Sequence, residues 1–202
     1  MKQRFLFASW GLAALTALPG CDSPDQPVPA HTKAWVQGHD GDVLRFYQPA
    51  TGASDSVRVA LTDENARHSN GKLSLGSYHA QVITLKYLMG QPFPNRVITV
   101  YPGLEVYFYS SGSVSFRLPA ANYGMAEVTT APDPAAEQAT GSYYLAAELL
   151  RNTSLNGRSY QRVIHLHLLQ PPDPQQPEDF WYSQEDGLVA YALPGSPAWY
   201  RR

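Results

Sequence analysis

Tyr160-Gln-Arg-Val-Ile-His-Leu-His-Leu-Leu169 is the stretch that decides the fold. Ile164, Leu166 and Leu168 alternate with His165 and His167, so one face is apolar and the other polar, the period of a half-buried strand. The strand is entered through Asn156-Gly157, a dipeptide that suits a tight hairpin turn because both residues tolerate positive φ. A proline-rich excursion, Pro171–Pro177, follows it. Its partner then comes as Phe180-Trp-Tyr182, a turn at Glu185-Asp-Gly187 and a further strand at Leu188-Val-Ala-Tyr191. As a pattern, these residues speak to architecture before chemistry.

The same period recurs toward the N-terminus. Trp35-Val36 leads through a turn at Gly38–Asp42 into Val43–Tyr47, where Leu44 and Phe46 oppose Arg45 and Tyr47. Ser56–Leu61 places Val57, Val59 and Leu61 on one face. Thr62–Lys72 is polar and reads as a connection with a turn at Asn70-Gly71. Leu73–Tyr87 holds a strand with Ile83, Leu85 and Tyr87 on one side. Met89–Asn95 reads as a Gly/Pro loop, and Val97–Tyr101 is expected to pair with Leu104–Tyr109 across Pro102-Gly103. Ser110-Ser-Gly112 turns into Ser113–Leu118.

Tyr123–Thr129 reads as a short strand and Ala131–Thr140 as a loop. Ser142–Arg151 contains good helix formers, but Tyr143, Leu145, Ala147 and Leu149 alternate and a turn follows at once, so it is read as a strand. Trp199–Arg202 reads as a loose end. Many short strands between turn signals predict an all-β fold, an antiparallel meander forming a sandwich, partial barrel or strongly curved sheet.

Composition agrees. Thirteen Tyr, four Trp and seven Phe suit a pleated surface, and 17 Pro with 15 Gly supply the reversals. A length of 202 residues fits one domain, here 33–202. A formal net charge of −2 argues against nucleic acid, which would need a basic face. With a single cysteine, Cys21, no intrachain disulfide can form.

That cysteine closes a targeting segment. Lys2 and Arg4 precede the apolar run Phe5–Leu18, which is shorter than a membrane span of about 20 residues. Leu18-Pro-Gly-Cys21 then resembles the lipobox of bacterial lipoproteins, with Pro19 a less usual residue at its place. The resemblance implies cleavage of a signal peptide at 1–20, a diacylglycerol thioether on Cys21 and further acylation of palmitate type. Several chains are needed because each buried methylene contributes about 0.8 kcal/mol and one chain holds poorly. Residues 21–32, with three prolines after Cys21, read as a semi-stiff tether outside the fold that lifts the domain by a few tens of ångströms at most.

A second resemblance covers about a third of the chain. Asn156-Gly-Arg-Ser-Tyr160-Gln-Arg-Val163, then Trp181-Tyr182 and Gly187-Leu-Val, is similar to the closing N-G-x-x-Y-x-x-V hairpin of small envelope lipoproteins of the Bacteroidetes type. Gly41–Phe46, Gly52 and Asp55-Ser-Val57 resemble their opening strand pair. The sequence departs at Glu185-Asp186, where that family tends to have Gly and a small residue. The resemblance implies a secreted, lipid-anchored all-β module and brings no catalytic residue.

Candidate chemistry is sparse. His165 and His167 share a strand face and are the candidate metal ligands. Zinc would need a third ligand, and His79, His39 or Glu148 are the residue types available. The plainer reading leaves both histidines on a half-exposed face. Asp40 and Asp42 around Gly41 suit calcium less well than they suit a turn. Trp35, Trp181, Trp199 and the tyrosines could form a sugar-stacking platform, though such rings more often pack in cores. The sequence has no G-x-S-x-G elbow, H-E-x-x-H pair, Walker loop or dinucleotide fingerprint.

The expectation is therefore a non-enzymatic, cofactor-free binding or structural module. It is expected to be membrane-anchored on the periplasmic or outer-surface side of a bacterial envelope, with an envelope protein or a glycan as partner. The alternatives are a carrier of an apolar ligand in a curved sheet and a metal-dependent enzyme using His165 and His167.

Overall fold

The computed structural model describes residues 23–69, 77–91, 100–119, 125–170 and 174–202. Apart from the short helix α1 (Ala30–Lys33) and a 3-10 turn at Pro134–Ala136, the regular elements are strands. In chain order they are β1 (Ser23–Gln26), β2 (Val43–Tyr47), β3 (Ser54–Ser69), β4 (Ser77–Leu88), β5 (Gly103–Tyr109), β6 (Ser113–Arg117) and β7 (Met125–Thr129). There follow β8 (Gln138–Thr140), β9 (Leu145–Leu155), β10 (Arg158–Leu168), β11 (Asp179–Ser183), β12 (Gly187–Ala192) and β13 (Trp199–Arg201).

Twelve of these form one antiparallel path, β8-β7-β6-β5-β4-β3-β2-β13-β12-β11-β10-β9. The path curls until its two ends, β8 and β9, lie beside each other, which gives a barrel-like sheet with one unsealed seam. The expected all-β class and antiparallel meander are what the chain forms. The stretch Ser142–Arg151 does enter a strand, with Leu145 fully buried, although Tyr143 points into solvent.

Alternation explains the filling. Leu104, Val106 and Phe108 of β5, Val114 and Phe116 of β6, and Ile164, Leu166 and Leu168 of β10 all enter one core. Phe46, Tyr87, Phe180, Tyr182 and Tyr191 complete it as large buried rings. Tyr182 packs edge-on against Tyr87 and Phe116, with centroids 6.0 and 5.4 Å away, the arrangement that the ring quadrupole favours. The outward positions of β4 to β7 are mainly polar, including Lys86, Glu105, Arg117 and Glu127. A barrel that crossed a membrane would reverse this, with an apolar band outside. No helix among the described residues is long and apolar enough to cross a membrane.

A second apolar cluster lies outside the barrel. Tyr160, Val163 and Val189 pack with Leu150, Leu155 and Trp181. The Asn156-Gly157 turn, with φ of 48° and 80°, carries the β9–β10 hairpin far enough for the Asn156 amide to donate to the Tyr47 hydroxyl. β12 is thereby buried at every position.

Several expectations are corrected. The stretch 22–32 is not a free tether over its described part. β1 pairs in parallel with the end of β4 that extends beyond the β4–β5 ladder. Val28 is buried, its N–H donating to Gln81 at 3.0 Å, and Thr32 shares a 2.7 Å hydrogen bond with Thr130. Apolar burial and partnered backbone outweigh the stiffness of the prolines.

The polar run after Leu61 is no simple connection either. β3 continues to Ser69, held by its ladder to β4. Pro102-Gly103 is not a hairpin turn. β5 pairs directly with β4 and with β6, so both its edges are taken, and Val100 and Tyr101 lie outside any strand. Residues 138–140, read as loop, form β8. The supposed loose end is β13, which joins β12 to β2 and so links the two halves of the chain. The signal segment with Cys21, the Asn70-Gly71 turn and Val97–Thr99 fall outside the described residues.

Candidate functional site

Both ends of the barrel are bridged. At one end the segment 28–38 crosses the opening and touches walls on opposite sides. Tyr182 donates to the Trp35 carbonyl at 2.6 Å, and Tyr87 donates to the Gln37 carbonyl at 3.0 Å. Trp35 is 0% exposed, with the Arg162 guanidinium 5.9 Å from its ring centroid. Arg162 also meets Glu137, whose side chain is 1% exposed, at 3.2 Å. Arg151 donates to the carbonyls of Pro134 and Glu137 at 3.1 and 3.0 Å. The two arginines thus staple the connection before β8 to β9 and β10, across the seam that no ladder closes. At the other end Gln176 closes the gap. Its amide donates to the Gly103 carbonyl at 3.1 Å and accepts from the Gly103 N–H at 3.2 Å.

Inside these closures the described core is occupied by side chains. Two clefts lined by described residues, of about 390 and 290 Å³, lie at the surface. The larger runs past Arg45, Asp55 and Arg202, so its lining is polar. An apolar ligand in the barrel would compete with rings already in place.

The expected histidine pair stands on the outer face. His165 lies opposite Glu148 on β9 and Trp181 on β11, and His167 lies opposite Asp179. His165 Nε2 and His167 Nδ1 both hydrogen-bond Asp179 Oδ1, at 2.8 and 2.9 Å. Burial acts to raise the Asp179 pKa, but the two imidazole hydrogen bonds and their charge outweigh it and hold it below the usual range. The His165 ring stacks on Trp181, with centroids 4.7 Å apart and planes 6° from parallel. The nitrogens are tied to one carboxylate oxygen instead of surrounding an open point. Among the described residues no set of three His, Cys, Asp or Glu is arranged to hold a metal ion. Asp179 was not singled out from the sequence, yet setting Phe180-Trp-Tyr182 against the histidine strand would have brought it beside His167.

The remaining candidates resolve as turns and packing. Asp42 accepts the His39 N–H at 2.7 Å and Asp40 accepts the Leu61 N–H at 3.1 Å, so both shape the turn before β2. Trp199 stacks on Tyr191, with centroids 6.0 Å apart. Of the three tryptophans weighed as a sugar platform, Trp35 is interior, Trp199 packs on Tyr191 and Trp181 has one face covered by His165.

The outward face of β4 to β7 is different. Thr84, Tyr107, Ser115 and Glu127 form one cross-strand row. Tyr107 and Tyr109, two apart on β5, have centroids 6.3 Å apart and planes 11° from parallel. Tyr107 donates to Glu105 at 2.6 Å, and the Arg117 guanidinium lies over the Tyr107 ring, 5.7 Å from its centroid. Burial, then the hydrogen bond to Glu105 and its charge, push the Tyr107 hydroxyl up to about 12. Burial also raises Tyr109, against the opposing influence of Arg117 and Ser115. Both hydroxyls are therefore protonated at neutral pH.

The chain matches no protein-family model, no curated protein and no solved structure.

Proposed function

We propose that this chain is a lipid-anchored β-barrel module of a bacterial envelope, with a binding or structural role and no catalytic one. The lipobox-like Leu18-Pro-Gly-Cys21, with the only cysteine of the chain at the acceptor position, carries the reading. The hairpin resemblance to envelope lipoproteins of the Bacteroidetes type supports it. So does the outward polarity of β4 to β7, which gives that wall no apolar band for a bilayer. On this reading the lipid is an address and a hold, and the barrel is the working part.

The position of β1 adds a constraint. Cys21 and Ser23 are two residues apart, so the lipid sits within about 7 Å of the first strand. The barrel then rides close to the bilayer surface instead of on a long stalk.

Intact mass spectrometry of the protein from its native membrane tests the proposal. The expected species starts at Cys21 and carries a diacylglycerol and a further acyl chain. Cys21→Ala should carry none and leave the processed membrane fraction. A mature protein that begins elsewhere, or an unmodified Cys21, refutes the anchor.

A further inference from the structure

We infer that the cleft at the junction of β2, β3 and β13 binds a dianionic phosphate group, free or carried as a monoester on a sugar. The inference gives the proposed binding module a ligand class, and it rests on that reading.

The strands bring two arginines opposite each other. Arg201 lies opposite Phe46, and the Arg202 N–H donates to the Arg45 carbonyl at 3.0 Å, so Arg202 continues that register opposite Arg45. Arg45 in turn lies opposite Ser56 on β3. Both arginines are exposed, and both line the cleft of about 390 Å³ together with Ser54 and Ser56. Like charges directly opposite on antiparallel strands destabilise the pair. Among the described residues neither arginine has a carboxylate partner, the Arg202 α-carboxylate included, whereas Lys86, Arg158 and Arg162 each have one. An anion seated between Arg45 and Arg202 would turn this repulsion into attraction.

The surroundings suit such an anion. The Arg202 guanidinium lies against the Tyr47 ring, 5.5 Å from its centroid, and its Nη2 is 3.4 Å from the Ser54 hydroxyl. Arg58 is exposed, two residues along β3 from Ser56, and stands 5.8 Å from the Tyr101 centroid. Asp55 is the one acidic side chain in the lining, and both its oxygens are engaged. Oδ1 accepts the Ser56 N–H at 2.7 Å, and Oδ2 accepts the Tyr191 hydroxyl. Lining and flanking side chains thus set three positive charges against one negative, an excess that matches a phosphate monoester better than a singly charged carboxylate. Planar guanidinium forks meet phosphate oxygens two at a time, and the serine hydroxyls can donate to those that remain.

The test is thermal unfolding of the full-length protein in mild detergent, titrated with inorganic phosphate, glucose 1-phosphate or acetate at constant ionic strength. A ligand of the folded state raises the midpoint saturably. At least one of the two phosphates is expected to do so, and acetate is not. Response to both means that the phosphate alone is read, response to glucose 1-phosphate only makes the sugar part of the ligand, and response to inorganic phosphate only makes free phosphate the ligand. The effect should weaken below about pH 6, where the phosphate loses its second charge. Arg45→Gln and Arg202→Gln should each raise the half-saturating concentration about five-fold or more. Arg117→Gln removes the same charge from a different wall and should respond as the parent does. Without phosphate, Arg45→Gln should melt no lower than the parent, because it relieves the repulsion. No response to either phosphate, an equal response to acetate, an equal loss in Arg117→Gln, or a lower phosphate-free midpoint in Arg45→Gln overturns the inference. The melt needs no membrane, so its outcome is independent of whether Cys21 is acylated.

Discussion

Gly103 shows how much one residue can decide. Its φ is 141°, and a β-carbon there would sit 1.9 Å from the Tyr87 carbonyl oxygen. Backbone, not a flexible side chain, is in the way, so β5 could join β4 only after both had moved. Gly103→Ala is expected to abolish the cooperative unfolding transition followed by circular dichroism, whereas Gly157→Ala, with open space around it, should still fold. Glu137 is the corresponding case in electrostatics. Removing it leaves the Arg162 charge without its partner beneath the Trp35 ring. Glu137→Ala should cost about 3 kcal/mol or more in denaturant unfolding, the usual penalty for breaking a buried pair from one side.

Protonation sets the pH window. Burial pushes the Tyr87 hydroxyl up to about 12. Its neutral form is favoured by the fold, so that contribution is whole below the unfolded value of about 10 and fades as pH rises through the folded one. Tyr191 is raised by burial, then by its hydrogen bond to Asp55 and that group's charge. Ultraviolet titration should show these buried phenols ionising only as the protein unfolds, between pH about 10 and 12. Asp179 works in the opposite sense. Its folded pKa is lowered, so its contribution is present above about pH 4 and is lost as pH falls through the folded value. Asp179→Asn should therefore flatten the acid limb of the stability profile.

Among the elements, legibility followed the side-chain period. β10 could be read because apolar and polar residues alternate after a clear turn signal, and β11 and β12 because two short aromatic and apolar runs flank the Glu185-Asp-Gly187 turn. β13 could not. It has three residues, all of them half-buried, and its role comes from the two strands it joins. The polar half of β3 was equally silent, since its pairing with β4 is carried by the backbone and leaves no mark on composition. Pro102-Gly103 misled because the dipeptide fits a reversal, while the actual demand on Gly103 is close approach to β4. The histidine face was legible, but Asp179 was not, because register belongs to a pair of strands. The outward row of Thr84, Tyr107, Ser115 and Glu127 was hidden for the same reason, as it needs β4 to β7 side by side. Removal of residues 199–202 tests β13 directly. It would expose the edges of β2 and β12 and detach Trp199 from Tyr191, and the truncated chain is expected to aggregate instead of giving a sharp melt.

At the scale of the whole molecule, the chain winds a single meander into a barrel, fills it with rings and closes each end with its own loops. The seam between β8 and β9 is held by Arg151 and Arg162 in place of a ladder. The N-terminal segment serves as lid and strand together, and under the proposed anchoring it would also be the attachment point. Hydrogen-exchange mass spectrometry on the full-length protein is the most direct test of this arrangement. Residues 26–38 are expected to exchange as slowly as the neighbouring β2. Complete exchange of that segment within the shortest labelling time, with β2 still protected, would mean that it is a free tether and that the capped barrel is wrong.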